Sequence, residues 1–301
     1  MTGTTALPAG MEYAHCPVCG GEGHFVRWLR DLQLGAPGEF GQRRCNSCEV
    51  FFLSPRPEMA EVWRHYPNDY QPYQNELSQP LPFGLSAIRA YARRRRKVLR
   101  FVKGGRILDV GCGNGAFLES LGSRDWQRHA MDLEQHCQFT EPVPFYAGRF
   151  DCDRPPLDNL DAVTLWHVFE HLYDPRQALR HSHAILRPGG LLFLAIPALH
   201  SLDRHVFGSG WVGWDVPRHL ATYSDKAVAT LFRQTDLRLE AVMPDACGGA
   251  MVALSLEFAL RSRQFETTVG RSLIAHALLT PWAELSRLLG WASARIYVAR
   301  K

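Results

Sequence analysis

Four cysteines near the start of the chain are spaced as metal ligands. Cys16 and Cys19 form one C-x-x-C pair, and Cys45 and Cys48 form a second. This spacing lets one tight turn present two thiolates to the same ion, and four sulfur ligands favour tetrahedral zinc. A closed four-sulfur site has no coordination position for a substrate. The cysteines therefore predict a structural zinc ion.

Several closely spaced glycines between a predicted strand and a predicted helix are typical of a nucleotide-binding loop. Gly111, Gly113 and Gly115 lie within the segment 106–119, after the apolar residues of a predicted strand. Glycine lets the backbone turn sharply and approach a ligand without a side-chain clash. Gly111, Gly113 and Ala116 also satisfy the relaxed dinucleotide-binding pattern, so the glycines alone do not identify the cofactor.

The carboxylate two places before the first glycine distinguishes between the cofactors. With Asp109 there, where dehydrogenases usually have an apolar residue, the segment resembles motif I of the class I methyltransferases, which use S-adenosylmethionine (SAM). The resemblance extends over nearly the whole span 105–197 and implies an enzyme that binds SAM. By position in the family motif, the methionine part of the cofactor would contact Asp109, Gly111, Cys112 and Gly113.

A second predicted strand supplies the next cofactor contact. The segment 128–132 ends in Asp132, 21 positions after Gly111, where a ribose-binding carboxylate is expected. One carboxylate can accept hydrogen bonds from both ribose hydroxyls. The resemblance accordingly assigns Asp132 to the ribose.

The segment that would contact the adenine departs from the family pattern. Family members commonly have an acid after the third strand, and this chain has Arg149 in its place. Phe150 or Asp151 would then contact the adenine. At the end of the fourth predicted strand, Trp166 and His167 complete the predicted cofactor contacts.

Histidines after the fourth strand allow several interpretations. His167, Glu170 and His171 match the H-x-x-E-H signature of one class of zinc metallopeptidases, but their place directly after a buried strand argues against peptidase activity. Some quinone O-methyltransferases that the chain resembles bind a divalent ion with Glu-x-x-Glu-His here, and these residues would form an altered version. Alternatively, His167 and His171 act in catalysis, or the segment only packs against the cofactor loop.

The predicted general base lies in an insertion around 197–223. Its many Trp, His and Gly residues suit a pocket wall, and histidine is an apt base near neutral pH. The insertion resembles bacterial methyltransferases that modify sugars or secondary metabolites, which implies His219 as the base. Arg218 stands where those relatives have glutamate, so an anionic acceptor held by Arg218 is an alternative to a sugar.

Alternating apolar and amphipathic segments must position these residues. Predicted strands alternate with helices over 105–197, and two final strands follow at 237–243 and 294–299. This order predicts an α/β fold, with a Rossmann-like seven-stranded methyltransferase sheet and a small zinc-ribbon-like module at the N-terminus. The predicted domains are the zinc-binding module 1–57, a linker and basic helix 58–103, and the SAM-binding domain 104–301 with its substrate insertion.

The segment between the two domains contains the features of a rival function. Residues 66–83 predict a linker or a loop that covers the substrate, because they are rich in Tyr, Pro, Asn and Gln. The helix predicted over 86–102 carries an uninterrupted basic run, 93–97. Such runs are usually solvated, but a basic helix with a zinc module also suits RNA. An RNA-directed methyltransferase or RNA-binding protein is therefore the alternative function.

Composition narrows the class of protein. The chain has 301 residues, 46% of them hydrophobic, and a formal net charge of +4, which allows one large core and a smaller one and does not indicate a nucleic-acid coat. The sequence starts without a signal-peptide pattern, and no apolar run is long enough to span a membrane. We therefore expect a cytoplasmic protein whose paired cysteines bind metal rather than form disulfides.

These observations predict transfer of a methyl group from SAM to an oxygen, carbon or nitrogen atom of a small metabolite. The acceptor would be a natural product, a sugar or a nucleotide-linked intermediate of secondary metabolite biosynthesis. The expected partner is this small molecule, nucleic acid is not favoured, and the chain is expected to be a monomer or a homodimer.

Overall fold

Strands and helices form largely where the apolar patterns predict them. The computed structural model describes residues 7–66, 83–245 and 248–301. The strands are, in chain order, β1 (Met11–Glu12), β2 (Gly23–Leu29), β3 (Phe40–Cys45), β4 (Phe51–Leu53), β5 (Arg56–Pro57), β6 (Gly105–Val110), β7 (Trp126–Asp132), β8 (Phe145–Ala147), β9 (Leu160–Trp166), β10 (Leu186–Pro197), β11 (Ala221–Thr222), β12 (Arg238–Asp245) and β13 (Ala294–Arg300). The helices are α1 (Phe83–Leu99), α2 (Ala116–Leu121), α3 (Pro175–Ile185), α4 (Leu202–Phe207), α5 (Asp225–Gln234), α6 (Gly248–Arg261) and α7 (Leu273–Leu288).

The described residues divide into two compact units, each built from several segments of the chain. The sheet unit consists of residues 83–196, 229–245 and 294–301. The cysteine unit consists of residues 7–66, 197–228 and 248–293. This grouping differs from the predicted domains, because the predicted insertion and helices α6 and α7 group with the N-terminal cysteines. Most of the predicted linker 66–83 lies outside the described residues.

The sheet unit contains one seven-stranded sheet in the order β12-β13-β10-β9-β6-β7-β8. Strand β6 pairs in parallel with β7 and β9, β9 with β10, and β7 with β8, whereas β12 and β13 are antiparallel. Every residue of β9 except Asp161 is buried, as expected for a parallel strand covered on both faces. The predicted fold class is confirmed. The carboxyl ends of β6, β7 and β9 share one edge, which is where open α/β sheets bind ligands.

Helices α1 and α2 pack on the core of the sheet unit. Helix α2 buries Phe117 and Leu118, and α1 contributes Val98. Helix α1 ends at Leu99, three residues before the predicted end, and its Ile88 side chain is exposed. The packing of α2 therefore fixes the residues that follow β6, and the packing of α1 fixes the helix that contains the basic run.

The cysteine unit contains two sheets. One is the short pair β1-β5, and the other has four strands in the order β11-β4-β3-β2. Strand β11 comes from the predicted insertion and pairs with β4, with Ala221 opposite Phe52. The apolar core of the cysteine unit combines residues of the N-terminal segment and of the insertion. Its buried members are Leu29, Phe40, Leu53, Leu199, Trp211, Trp214 and Val216. A segment of 57 residues buries little apolar surface alone, so the insertion supplies the core that the cysteine segment lacks.

Helices α6 and α7 complete the cysteine unit. They approach closely at Gly249, where an added Cβ would lie 2.0 Å from the His276 carbonyl oxygen. Leu278 and Leu285 on α7 are exposed. Across the described ranges, no helix is long and apolar enough to cross a membrane.

Candidate functional site

The loop after β6 has the tight backbone that its glycines predict. Gly111, Gly113 and Gly115 have positive φ angles of 66°, 53° and 78°, which glycine adopts without strain. A Cβ at Gly111 would lie 2.3 Å from Val168 Cγ2, so a larger residue cannot fit there. The Gly111 N–H also donates to the Met131 carbonyl over 2.8 Å. The loop is therefore held against the carboxyl ends of β7 and β9.

Asp132 closes this loop from the end of β7. Its Oδ2 accepts a hydrogen bond from the Gly113 N–H over 2.8 Å, and its Oδ1 accepts one from the Leu133 N–H over 2.8 Å. Burial raises the pKa of this carboxyl, although both hydrogen bonds act in the opposite direction. Each carboxylate oxygen can accept a second hydrogen bond, so the group can still receive hydroxyl donors from a ligand.

Asp109 lies on β6 behind the loop and is buried. The Thr164 hydroxyl, opposite it on β9, donates to Asp109 Oδ1 over 2.5 Å. Burial raises the Asp109 pKa to about 7, although the Thr164 hydrogen bond and the positive charge of Arg94 lower it. A carboxyl with this pKa ionises readily when a cation binds beside it, because an opposite charge favours the charged form.

The basic helix contributes to the same site, which its sequence did not predict. The Arg94 guanidinium lies 5.3 Å from the centroid of the Trp166 ring, and the Lys97 ammonium pairs with buried Asp245 Oδ1 at 2.5 Å. Burial would raise the Asp245 pKa, but Lys97 and Arg94 hold it below its usual value. The prediction of a wholly solvated basic run is wrong for Arg94 and Lys97, because they stand one turn apart on the face toward the sheet.

Trp166 lies at the end of β9 with its indole buried. Its ring packs edge-on against Phe117, with the centroids 5.1 Å apart. Within the described part of the chain, Trp166 Nε1 is a buried donor with no hydrogen-bond partner. A buried N–H without an acceptor is unfavourable, so this atom fits an acceptor supplied by a ligand.

The residues predicted for adenine have structural partners. Phe150 is buried against the His181 ring, whose Nδ1 lies 2.7 Å from the Phe150 carbonyl oxygen. Asp151 is also buried, and its Oδ2 accepts from the Tyr173 N–H over 2.7 Å and from Arg149 Nη2 over 3.0 Å. These contacts give both residues a role in holding the loops together. Their contact with adenine stays a prediction.

His167 lies two residues before a short 3-10 turn, Phe169–His171, and His171 is the last residue of that turn. His167 has a positive φ of 58°, which is uncommon for a residue with a side chain, and its Nδ1 lies 3.3 Å from Oε1 of buried Glu170. This irregular turn differs from the helix on which zinc peptidases present their paired histidines. The geometry therefore gives the peptidase interpretation no support.

His219 lies in the cysteine unit with a defined ring orientation. Its Nδ1 is 2.9 Å from the Gly213 carbonyl oxygen, which can only accept, so Nδ1 carries the hydrogen. In the neutral ring, the lone pair is then on Nε2, which lies 4.0 Å from Asp215 Oδ2. This tautomer is the one in which Nε2 can accept a proton.

The Arg218 side chain is not available to bind an anionic acceptor, as one interpretation of the sequence required. Its side chain is fully buried, and it donates through Nη1 and Nη2 to Asp31 over 3.0 and 2.8 Å and through Nε and Nη2 to Asp215 over 3.0 and 2.6 Å. The fifth donor lies 3.4 Å from the His65 carbonyl oxygen. The alternative in which Arg218 holds the acceptor is therefore wrong, because all five of its N–H donors have protein acceptors.

The four paired cysteines come together in the cysteine unit. Their sulfur atoms all lie within 4.8 Å of one another, and all four are free thiols. Backbone N–H groups point at the sulfurs, as in the 3.3 Å hydrogen bond from Cys48 N–H to Cys45 Sγ. Burial raises the Cys16 pKa to about 12, whereas backbone donors lower the Cys45 pKa to about 7 against the effect of its own burial. The donor set and its crowding fit one tetrahedral zinc ion.

The remaining contacts of the sheet unit fit SAM. Asp109 suits a ligand ammonium, Arg94 suits a carboxylate, and Asp132 suits vicinal hydroxyls. Sequence reasoning missed Arg94, because several residue pairs of the basic run are one helical turn apart and the spacing does not single out any of them. Gly111 and Gly113 fall where the sequence predicts them.

Known proteins resemble this chain over its sheet-forming region. A family model described as a methyltransferase domain matches residues 85–242. Ubiquinone biosynthesis O-methyltransferases of Xanthomonas oryzae and Xanthomonas axonopodis are 31% and 29% identical to it over 157 residues, with 46% of this chain and 65% of each relative covered. The chain thus spans less than two thirds of the length of these relatives.

A solved SAM-dependent methyltransferase of Archaeoglobus fulgidus is 18% identical, with a TM-score of 0.49 and with 72% of this chain and 94% of that chain covered. A second SAM-dependent methyltransferase, of Mesorhizobium loti, is 16% identical, with a TM-score of 0.48 and coverages of 70% and 98%. The family model itself spans more than half of the chain. The chain therefore belongs to the methyltransferase domain family, the class of SAM-dependent methyltransferases.

Proposed function

We propose that this protein transfers a methyl group from SAM to a small-molecule acceptor. The observation that carries the proposal is the glycine loop after β6, closed by the hydrogen bond from Gly113 to Asp132 and backed by buried Asp109. This arrangement lies at the carboxyl edge of the central strands, where α/β folds bind nucleotide ligands. When bound, SAM would supply an electrophilic methyl group on its sulfonium.

Three side chains of the sheet unit would hold the methionine part and the ribose of the cofactor. The Asp109 carboxylate would attract the amino group of the methionine part, and the Arg94 guanidinium would pair with its carboxylate. Asp132 would accept the ribose hydroxyls with the oxygen lone pairs that the loop does not use. These roles follow from charge and hydrogen-bond capacity together with the family resemblance.

His219 is the general base in this proposal. The Gly213 carbonyl orients its ring so that Nε2 can take a proton from an acceptor hydroxyl or carbon acid. Because relatives of this chain are named O-methyltransferases, an oxygen acceptor is the first to test. Direct catalytic roles for His167 and His171, and a second metal ion at these residues with Glu170, stay predictions.

Cys16, Cys19, Cys45 and Cys48 would bind a structural zinc ion. Four thiolates within 4.8 Å of one another repel unless a cation neutralises them, and zinc accepts four such ligands. The ion would stabilise the four-stranded sheet, because Cys45 is the last residue of β3. The cytoplasmic location and the monomeric or homodimeric state stay predictions, as does the domain division at residues 57 and 103.

The RNA-directed function remains the second candidate, and the structure weakens its main support. Arg94 and Lys97 contact Trp166 and Asp245, so the basic run offers fewer cations to phosphates than its sequence suggests. RNA affinity that falls steeply with salt would favour this candidate.

Calorimetric titration of the full chain with S-adenosylhomocysteine tests the proposed function. We expect saturable binding to the wild type and at least tenfold weaker binding to Asp132→Ala, about 1.4 kcal/mol. Asp125→Ala, which removes an acid just before β7, is the matched control and should bind normally. Absence of binding to the wild type, or equal binding to Asp132→Ala, would overturn the cofactor assignment.

A further inference from the structure

Two arginine side chains of the cysteine unit are partly buried without a carboxylate nearby in the described residues. Arg27 lies on β2 and Arg204 on α4, and both are half-buried. Within residues 7–66, 83–245 and 248–301, no carboxylate lies within 4.0 Å of either guanidinium. A half-buried guanidinium usually has an anionic partner, because burial without one is unfavourable. The two side chains therefore differ from Arg218, which has two carboxylates.

Neutral groups hold the two arginines in place through the inner nitrogen. Arg27 Nε donates to the side-chain oxygen of buried Gln42 over 2.9 Å, and Arg204 Nε donates to the Leu199 carbonyl oxygen over 2.5 Å. These bonds fix the planes of the guanidinium groups without neutralising them. An arginine held in this way presents its terminal N–H groups as a rigid fork, which matches a carboxylate or a phosphate.

The arginines also affect each other. Burial lowers the Arg27 pKa, and the positive charge of Arg204 lowers it further. Burial lowers the Arg204 pKa as well, with Arg44 as the second cause. A like charge that lowers the pKa of a guanidinium is near enough to repel it, and an anion bound beside the two groups would offset that repulsion. Arg44 is partly neutralised by Glu49, whose Oε1 is 3.3 Å away.

Aromatic rings and a pocket adjoin the cluster. The Arg27 guanidinium lies 5.3 Å from the Trp214 ring centroid, and Trp214 packs against Phe51 with their centroids 5.2 Å apart. Gln42, Phe51 and Trp214 line a small, open surface pocket. His219 lines the same pocket. Two of the residues that contact Arg27 thus also line a cavity with the predicted base.

We propose that Arg27, Arg44 and Arg204, here called the arginine cluster, bind an anionic group of the methyl acceptor, either a carboxylate or a phosphate. The identity of the ligand as the acceptor rests on the proposed function, whereas binding of the anion does not. A small pocket beside rigid guanidinium groups favours a compact anion over the extended backbone of a nucleic acid. Arg27 and Arg204 contribute most, since Arg44 already has a partner.

Titration of the full chain with inorganic phosphate and, separately, with benzoate tests the arginine cluster. We expect saturable binding of at least one anion and about tenfold weaker binding to Arg27→Gln and to Arg204→Gln, because a charge-assisted hydrogen bond is lost. The tighter anion identifies the acceptor's acidic group. Arg64→Gln is the matched control, since Arg64 is an exposed arginine of the same unit paired with Glu61.

Several outcomes would overturn the proposal. They are the absence of saturable binding of either anion, equal binding by the wild type and both variants, and saturable binding of polyuridylate alone. Arg27→Lys replaces Arg27→Gln if the latter does not fold, and it should bind less tightly than the wild type because lysine lacks the fork. Titrating the same samples with S-adenosylhomocysteine separates the two proposals, because loss of anion binding with intact cofactor binding contradicts only the arginine cluster.

Discussion

Arg218 pairs in the interior of the cysteine unit with Asp31, a residue 187 positions earlier in the chain. Two N–H groups of the guanidinium bond to the two carboxylate oxygens, and both side chains are fully buried. Asp215 receives two further hydrogen bonds from the same guanidinium. The pair links the segment after β10 to the loop after β2, so it explains why these segments share one unit.

Removal of the Arg218 side chain should destabilise the cysteine unit strongly. Arg218→Leu leaves Asp31 and Asp215 as buried carboxylates without a cation, which is expected to lower the free energy of unfolding by about 3–5 kcal/mol. Urea unfolding followed by tryptophan fluorescence measures this loss. Arg64→Gln, which changes an exposed arginine paired with Glu61, should change the same quantity by no more than about 0.5 kcal/mol. A loss for Arg218→Leu no larger than for the control contradicts the interpretation.

The Rossmann-like half of the fold could be predicted because its signals are local. Strand β9 ends at Trp166, as predicted, and the loop with Gly111 and Gly113 follows β6 as expected, since apolar runs and glycine turns depend on neighbouring residues. The clustering of Cys16 with Cys45 was also predictable, because each belongs to a pair whose spacing is specific to metal sites.

The contacts between distant segments could not be predicted. Neither Asp31 nor Arg218 lies in a recognisable pattern, and the pairing of β11 with β4 depends on how the insertion packs. The contact of Arg94 with Trp166 was hidden for a different reason. A basic run gives no indication of which residues face the sheet until the helix has a known neighbour.

Cofactor affinity should depend on pH through Asp109. Its pKa of about 7 means that the carboxyl is largely protonated below this pH, and the neutral form attracts a ligand ammonium only weakly. S-adenosylhomocysteine should therefore bind less tightly as the pH falls below about 7, by up to tenfold per pH unit. Calorimetric titrations at about pH 6 and about pH 8 measure the difference.

Thr164→Val provides a directed check on that pH dependence. The Thr164 hydroxyl lowers the Asp109 pKa, so its removal should raise the pKa and move the loss of affinity to higher pH. Asp109→Asn should bind weakly at every pH, because an amide does not ionise. Equal affinity at both pH values for the wild type would show that Asp109 is not the titrating group.

Alanine substitutions at two glycines should distinguish the effect of a steric clash from the effect of an unfavourable φ angle. Gly111→Ala places a Cβ 2.3 Å from Val168 Cγ2 at a φ of 66°, so the loop must move and S-adenosylhomocysteine binding should be lost. Gly122→Ala is the matched control, because φ is 73° there and nothing lies within 4 Å of the added Cβ. That variant should lose about 1–3 kcal/mol of stability, because glycine is strongly favoured at a φ of 73° and a ψ of 175°, and it should retain its affinity. Equal loss of affinity in both variants would mean that strain alone affects the loop.

Removal of metal should unfold the cysteine unit while leaving the sheet unit able to bind S-adenosylhomocysteine. We expect elemental analysis to find one zinc per chain, and a chelator to abolish the thermal transition of the cysteine unit, because a four-thiolate site contributes directly to folding. Acidification should release the ion as well, since protons compete for the thiolates. Cys45→Ser should lose the metal, whereas Cys152→Ser, which changes an exposed thiol of the sheet unit, should retain it. Wild-type protein that contains no zinc, or a Cys45→Ser variant that keeps a full complement, would show that the four sulfurs are close for packing reasons alone.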